Sequence, residues 1–316
     1  MRKALVVGID YYQNIKPLHG CVNDAYSVKS VLERHGNGTI NFPVNLLTST
    51  GPDNLITKKE LKENVIELFK DDSEVALFYF AGHGYIETTG GFLITSDCQY
   101  GDDGFSLNEL LSIANKSKAK NKVIILDSCH SGFVGTNISD ENALLCEGLT
   151  ILTASSSDQY ATEVKGSGVF TTLLVDALNG GAANLVGEIT PGSVYAHIDQ
   201  SLGPWQQRPI FKTNVKSFIS LRTVNPPLSL SDLRLLTKLF KNIEDEFKLD
   251  PSFEPESGVP IEDNIKKFRL LQSYNRVNLV IPVGEEHMYF AAMNSKSCKL
   301  TPLGMHYWNL VKNNRI

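Results

Sequence analysis

Five short apolar runs, separated by stretches with helical periodicity, restrict this chain to a narrow set of folds. They occupy residues 3–9, 44–47, 74–80, 122–126 and 149–153 and are rich in Val, Leu, Ile and Phe. Runs this short that end at Gly, Asp or Ser read as strands, and the weak alternation in 74–80 predicts a strand covered on both faces. Between them, Asn23-Asp24-Ala25 opens a helical pattern with Val28, Val31 and Leu32 on one face. Thr57 is placed to cap a second helix through Leu61, Val65, Leu68 and Phe69, with Glu60 at the capping-box position. Ser106 precedes a third, shorter helix. Alternating strands and helices predict an α/β domain with a mainly parallel central sheet flanked by helices.

The pattern changes at Pro226-Pro227, which reads as a linker. We therefore expect one domain over 1–224 and a small, mostly helical one over 228–316. In the second, Leu230, Leu233, Leu236, Phe240, Ile243 and Phe247 trace one helical stripe with Ser229 or Ser231 as its cap. A loop over 250–260, a helix over 261–274 and a hairpin of 278–283 with 288–292 follow. Thr301-Pro302 then supplies N-cap and N1 of a last helix. A winged-helix-like arrangement is one reading of this order.

Active sites of parallel sheets lie at the carboxyl ends of the strands. Ala81-Gly82-His83-Gly84 directly follows one apolar run and Asp127-Ser128-Cys129-His130 directly follows another. A thiol near its free pKa of about 8.5 is mostly protonated at neutral pH and needs a neighbouring base. An imidazole fills that role and later protonates the leaving amine. Cys129 is thus the candidate nucleophile and His83 its general base. Amides of Gly84 and Cys129 are candidate oxyanion donors, and Gly132 gives the backbone freedom nearby. His130 and His19 compete as bases, but His130 adjoins the nucleophile and should project away from it, while His19 sits in a turn-like segment without a polar cluster.

Phe80-Ala81-Gly82-His83-Gly84 and Leu126-Asp127-Ser128-Cys129-His130-Ser131-Gly132 resemble the two catalytic motifs of clan CD cysteine peptidases, the caspases and bacterial metacaspase-like proteins of peptidase family C14. The likeness extends over about residues 1–222 through Gly20-Cys21-Val22-Asn23-Asp24-Ala25, Thr153-Ala154-Ser155-Ser156-Ser157-Asp158-Gln159, Gly168-Val169-Phe170-Thr171-Thr172-Leu173-Leu174 and Gln207-Arg208-Pro209. The 46-residue separation of His83 and Cys129 suits the caspase spacing, although the caspase QACxG signature is absent. The resemblance implies a caspase-like sandwich and a His–Cys dyad. It also implies an S1 pocket built on Asp24 and Asp127, with Ser155 or Ser156 in its lining. Two acids there suit a P1 Arg over Lys, because a guanidinium pairs with carboxylates in bidentate fashion. The bland alternative is that Asp24 caps a helix and Asp127 orients a turn. Ala81 stands where many metacaspases carry Ser.

Many members of that family bind calcium through aspartates after the His motif. Here Asp97, Asp102 and Asp103 stand near, but Leu107-Asn108-Glu109 interrupts the expected acids, so no metal and no cofactor is expected. No Lys or Arg occurs from Val123 to Val164, so a basic P1 preference would leave no self-processing site in that interval and Lys165 as the first one available.

The net charge of −5 argues against a chain that coats nucleic acid, although residues 264–316 carry a local +6 against −11 before them. Five cysteines with no CxxC pair fit neither a disulfide framework nor a zinc site. The first apolar run is too short for a signal core, and no stretch approaches a membrane span of ~18 residues. A cytoplasmic enzyme acting on proteins or peptides is the expectation. Family analogy adds an activating partner or small nucleotide signal acting through 228–316, in a stress or antiviral defence setting. The rival reading is a DNA-binding or scaffold regulator built on an inactive peptidase fold.

Overall fold

The computed structural model describes residues 1–87, 90–128, 145–154, 163–164, 167–203 and 208–316. Its first unit comprises Met1–Ala183 and Glu188–Val224; its second comprises Asn184–Gly187 and Asn225–Ile316.

In the first unit, β1 (Arg2–Ile9), β2 (Val44–Ser49), β3 (Val75–Ala81), β7 (Asn121–Asp127) and β8 (Leu149–Thr153) are the apolar runs, each end within two residues of its predicted position and β3 shifted by one. They are mutually parallel, and β12 (Ile210–Asn214) adds antiparallel to β8 in the order β12–β8–β7–β3–β1–β2. Connecting helices are α1 (Cys21–Leu32), α2 (Lys58–Phe69), α3 (Leu107–Lys116), α4 (Val169–Asp176) and α5 (Pro191–Ser201). The remaining short strands pair away from the main sheet. They are β4 (Gly84–Glu87), β5 (Gly90–Leu93), β6 (Phe105–Ser106), β9 (Glu163–Val164), β10 (Ser167–Gly168), β11 (Glu188–Ile189) and β13 (Arg222–Thr223).

Strand β3 shows why its sequence lacks alternation. Ala76, Phe78 and Phe80 enter one core with Leu61, Val65, Leu110 and Leu111 of α2 and α3. Val75, Leu77 and Tyr79 enter the other with Val28, Leu174 and Val194 of α1, α4 and α5. Both faces are therefore apolar, as the buried parallel strand requires. Thr57 caps α2 as expected, its hydroxyl accepting from Glu60 N at 3.2 Å.

The second unit surrounds a three-stranded antiparallel sheet, β14 (Glu246–Lys248), β16 (Ser297–Leu300) and β15 (Val280–Val283) in that order. Its helices are α6 (Leu230–Arg234), α7 (Leu236–Leu239), α8 (Glu262–Arg276), α9 (Met288–Met293) and α10 (Pro302–Lys312). Two expectations fail here. The stripe from Leu230 to Phe247 is not one helix: α7 stops where Phe240 turns extended, and the Asp245 carboxylate accepts from Asn242 N at 2.8 Å to turn the chain into β14. Phe247 still meets Phe240, at 6.1 Å between rings, but from a strand. The predicted second hairpin strand is α9, which buries Met288, Ala291 and Ala292 at i, i+3 and i+4, so β15 pairs instead with β16. Ser229 and Thr301 do cap α6 and α10, accepting from Asp232 N at 3.0 Å and Gly304 N at 2.9 Å. Among the described residues no helix is long and apolar enough to cross a membrane.

Phe78 is fully buried at the centre of its core. Phe78→Ala is expected to cost roughly 3–5 kcal/mol through lost transfer energy and the cavity left behind. Urea unfolding followed by circular dichroism checks it.

Candidate active site

The ladder between β3 and β7 sets the geometry. Its last pair is Ala81 with Asp127, and Gly82 N donates to the Asp127 carbonyl at 3.3 Å. Each dyad candidate follows that pair by two residues along its own strand. Ser128 is described and buried, whereas Cys129, His130, Gly132, Ser155 and Ser156 lie outside the described residues.

His83 is held from three sides. Its N–H donates to the Tyr12 hydroxyl at 2.8 Å, and that hydroxyl donates in turn to the Ile9 carbonyl at 3.1 Å. The His83 carbonyl accepts from Ile94 N at 3.0 Å. The ring lies 4.8 Å from that of Tyr12, tilted by 50°. Gly82 permits this close packing, since a Cβ there would stand 2.8 Å from the Tyr12 hydroxyl. Most informative is Nε2, which lies 2.8 Å from the Lys16 carbonyl oxygen. A carbonyl only accepts, so Nε2 carries the proton and Nδ1 is the nitrogen that can take one. The loop behind β1 thus selects the tautomer. Nothing in the sequence pointed to Lys16, because the contact uses its backbone; Tyr12, an aromatic just beyond a strand end, was the available signal.

Gly84 is partly exposed and begins β4, paired with Leu93. His19 is exposed, beside the Asp10 carboxylate. Asp10 itself performs the helix-starting role considered for Asp24, its Oδ1 accepting from Cys21 N at 2.9 Å and Val22 N at 3.4 Å. Burial pushes the Asp10 carboxyl up, against the pull of those two amides.

Asp24 and Asp127 are both buried, at 3% and 7% exposure. The Asp24 Oδ2 accepts from Gly168 N at 2.9 Å, and the Asp127 Oδ2 accepts from the Thr171 hydroxyl at 2.6 Å. A Cβ on Gly168 would lie 2.5 Å from the Asp127 Oδ2 and 3.2 Å from the Asp24 Oδ2, so the two carboxylates converge on one point. Burial first, then the charges of Asp127 and Asp24, hold the Tyr79 hydroxyl well above the ordinary tyrosine range.

Two of the three loop acids are engaged by protein donors. Asp97 accepts from Lys58 N at 3.1 Å and from the Thr95 hydroxyl at 2.7 Å, and Asp103 accepts from Tyr100 N at 3.1 Å. Among the described residues no group of three or more His, Cys, Asp or Glu is arranged to hold a metal ion.

A sequence profile of the caspase domain, peptidase C14, matches residues 1–218. The chain therefore belongs to this family of cysteine peptidases. It is 28% identical over 153 residues to metacaspase-1 of Candida glabrata, spanning 42% of this chain and 37% of that one. With metacaspase-6 of Arabidopsis thaliana it shares 30% identity over 146 residues, covering 42% and 38% of the two chains. The matched region is thus little more than a third of each relative's length. Caspase-1 from Spodoptera frugiperda superposes with a TM-score of 0.51 at 14% identity, over 71% of this chain and 91% of that one, a likeness of fold.

Tyr12→Phe removes both bonds of a fully buried hydroxyl and leaves the His83 N–H without its acceptor. It is expected to destabilise the chain by about 1–3 kcal/mol. Chemical denaturation measures it.

Proposed function

We propose that the chain is a cysteine endopeptidase that cleaves after basic residues, Arg in preference to Lys. The single observation that carries the dyad is the bond from His83 Nε2 to the Lys16 carbonyl, which presents Nδ1 as a base. In this reading Nδ1 takes the Cys129 proton as sulfur attacks the scissile carbonyl. Amides of Gly84 and Cys129 stabilise the tetrahedral oxyanion. The imidazolium then returns its proton to the departing amine, and water attacking the thioester completes the cycle with His83 again as base. The P1 guanidinium enters between Asp24 and Asp127, whose convergence at Gly168 supports the basic preference. The family resemblance adds Ser155 or Ser156 to the residues of the same pocket.

Activation by a partner or small nucleotide through 228–316, in a defence or stress setting, belongs to the same reading and rests on family analogy. The sequence supports a trigger other than cutting behind the nucleophile, since no Lys or Arg occurs from 123 to 164.

The decisive experiment compares wild type, Cys129→Ala and His83→Ala on fluorogenic peptides carrying Arg, Lys or Asp at P1. Turnover after Arg and Lys, lost by about 10³-fold or more in both variants, is expected. Cleavage after Asp would remove the S1 assignment, and turnover retained by Cys129→Ala would remove the nucleophile. Mass spectrometry of the active enzyme is expected to find an unbroken chain from 123 to 164; an obligatory cut in that interval would overturn the activation reading.

A further inference from the structure

The carboxylates proposed for S1 do not stand alone, and what orients them has a direction that can be read from proton counting. The Thr171 hydroxyl has one proton and gives it to the Asp127 Oδ2 at 2.6 Å. The same hydroxyl oxygen lies 2.6 Å from the Tyr79 hydroxyl. With the threonine proton committed, Tyr79 must be the donor in that second bond. The result is a one-way chain, Tyr79 to Thr171 to Asp127, linking β3, α4 and β7. Its members are 0%, 1% and 7% exposed, so water does not compete for these bonds. The high position of the Tyr79 hydroxyl keeps its proton in place.

We propose that Thr171 is the positioning residue for the P1-recognising carboxylate of Asp127, with Tyr79 fixing the direction in which Thr171 donates. This rests on the S1 reading above and extends it to two residues that never touch substrate. Three observations support it. A hydrogen bond to an ionised acceptor is about twice as strong as a neutral one, and a donor that is itself hydrogen-bonded is polarised further. The Gly168 amide meets Oδ2 of Asp24 and the Thr171 hydroxyl meets Oδ2 of Asp127, which restricts the rotation of each carboxylate plane. Both donors come from the start of α4, where Gly168 precedes the helix and Thr171 lies in its first turn, so one rigid element sets the two planes together. Gly168 cannot be replaced without loss of this seat, because a Cβ would stand 2.5 Å from the Asp127 oxygen.

The test uses full-length Cys129→Ala chain, which binds without turnover, and calorimetric titration with two peptides that differ only in ending at arginine or at its uncharged isostere citrulline. Adding Thr171→Val is expected to weaken the arginine peptide about tenfold, the loss of one hydrogen bond to a charged group, while citrulline binding stays within about twofold. Thr171→Ser restores the arginine affinity. Tyr79→Phe gives a smaller loss of about threefold and carries the test should Thr171→Val not fold. Unchanged affinity in Thr171→Val, or equal loss for both peptides, overturns the proposal while leaving the S1 reading intact. Asp127→Asn distinguishes the two: if it binds both peptides as its parent does, or if the parent does not prefer arginine to citrulline, the S1 reading falls and the positioning role with it.

Discussion

Parallel pairing of β3 with β7 is the constraint on which the other features depend. The ladder runs from Val75 with Asn121 to Ala81 with Asp127 and brings the two motif-bearing strand ends side by side. Its register is fixed because alternate residues feed different cores. A slip of one residue would carry Tyr79 away from α4 and drive Phe80 into its place, inverting every contact on both faces. Tyr79 and Asp127 therefore owe their shared surroundings to the same steric rule that packs Phe78 and Leu77 on opposite sides. The chemistry is downstream of the packing.

Much of this was legible in the sequence, for a physical reason. Strands buried on both faces must be apolar throughout, so the runs around Val6, Phe78 and Ile124 declared themselves. The edge strand β12 did not: Ile210-Phe211-Lys212-Thr213-Asn214 is half polar because only one of its sides is paired and its end is exposed. The glycine-flanked His83 stood out as a side chain in a motif. The group that orients it is a peptide carbonyl, common to every residue type. Thr171 was visible only as a letter within a longer likeness, since nothing in its neighbours announces a proton to be donated across the fold to Asp127.

The second unit shows how an apolar spacing can mislead. Leu230, Leu233, Leu236, Phe240, Ile243 and Phe247 suit a helix, yet Leu230 is exposed and the other five serve a core that also recruits Phe253, Phe268 and Trp308 from other directions. The Asn242–Asp245 turn redirects the chain halfway, and the aromatic rings still meet. Trp308 belongs inside that core: it is 8% exposed and its indole N–H donates to the Phe240 carbonyl at 2.7 Å. The exposed aromatics of this unit are instead Tyr289 and Phe290 of α9, at 48% and 47%.

The contact between His83 and the Lys16 carbonyl has a consequence for how such a site can change over time. No substitution of the side chain at position 16 deletes a backbone oxygen; only a shift of the loop path, or its shortening, can do so. The lysine is therefore open to drift, with its own side chain answerable to other pressures, while the length of the segment between Ile9 and Cys21 is not. A partner of the His83 ring is thus inherited as a path of the chain rather than as an identity. Descendants of this protein could preserve it with any residue at position 16 that leaves the path unchanged, while Asp10 and Tyr12 of the same loop are held by bonds of their own side chains.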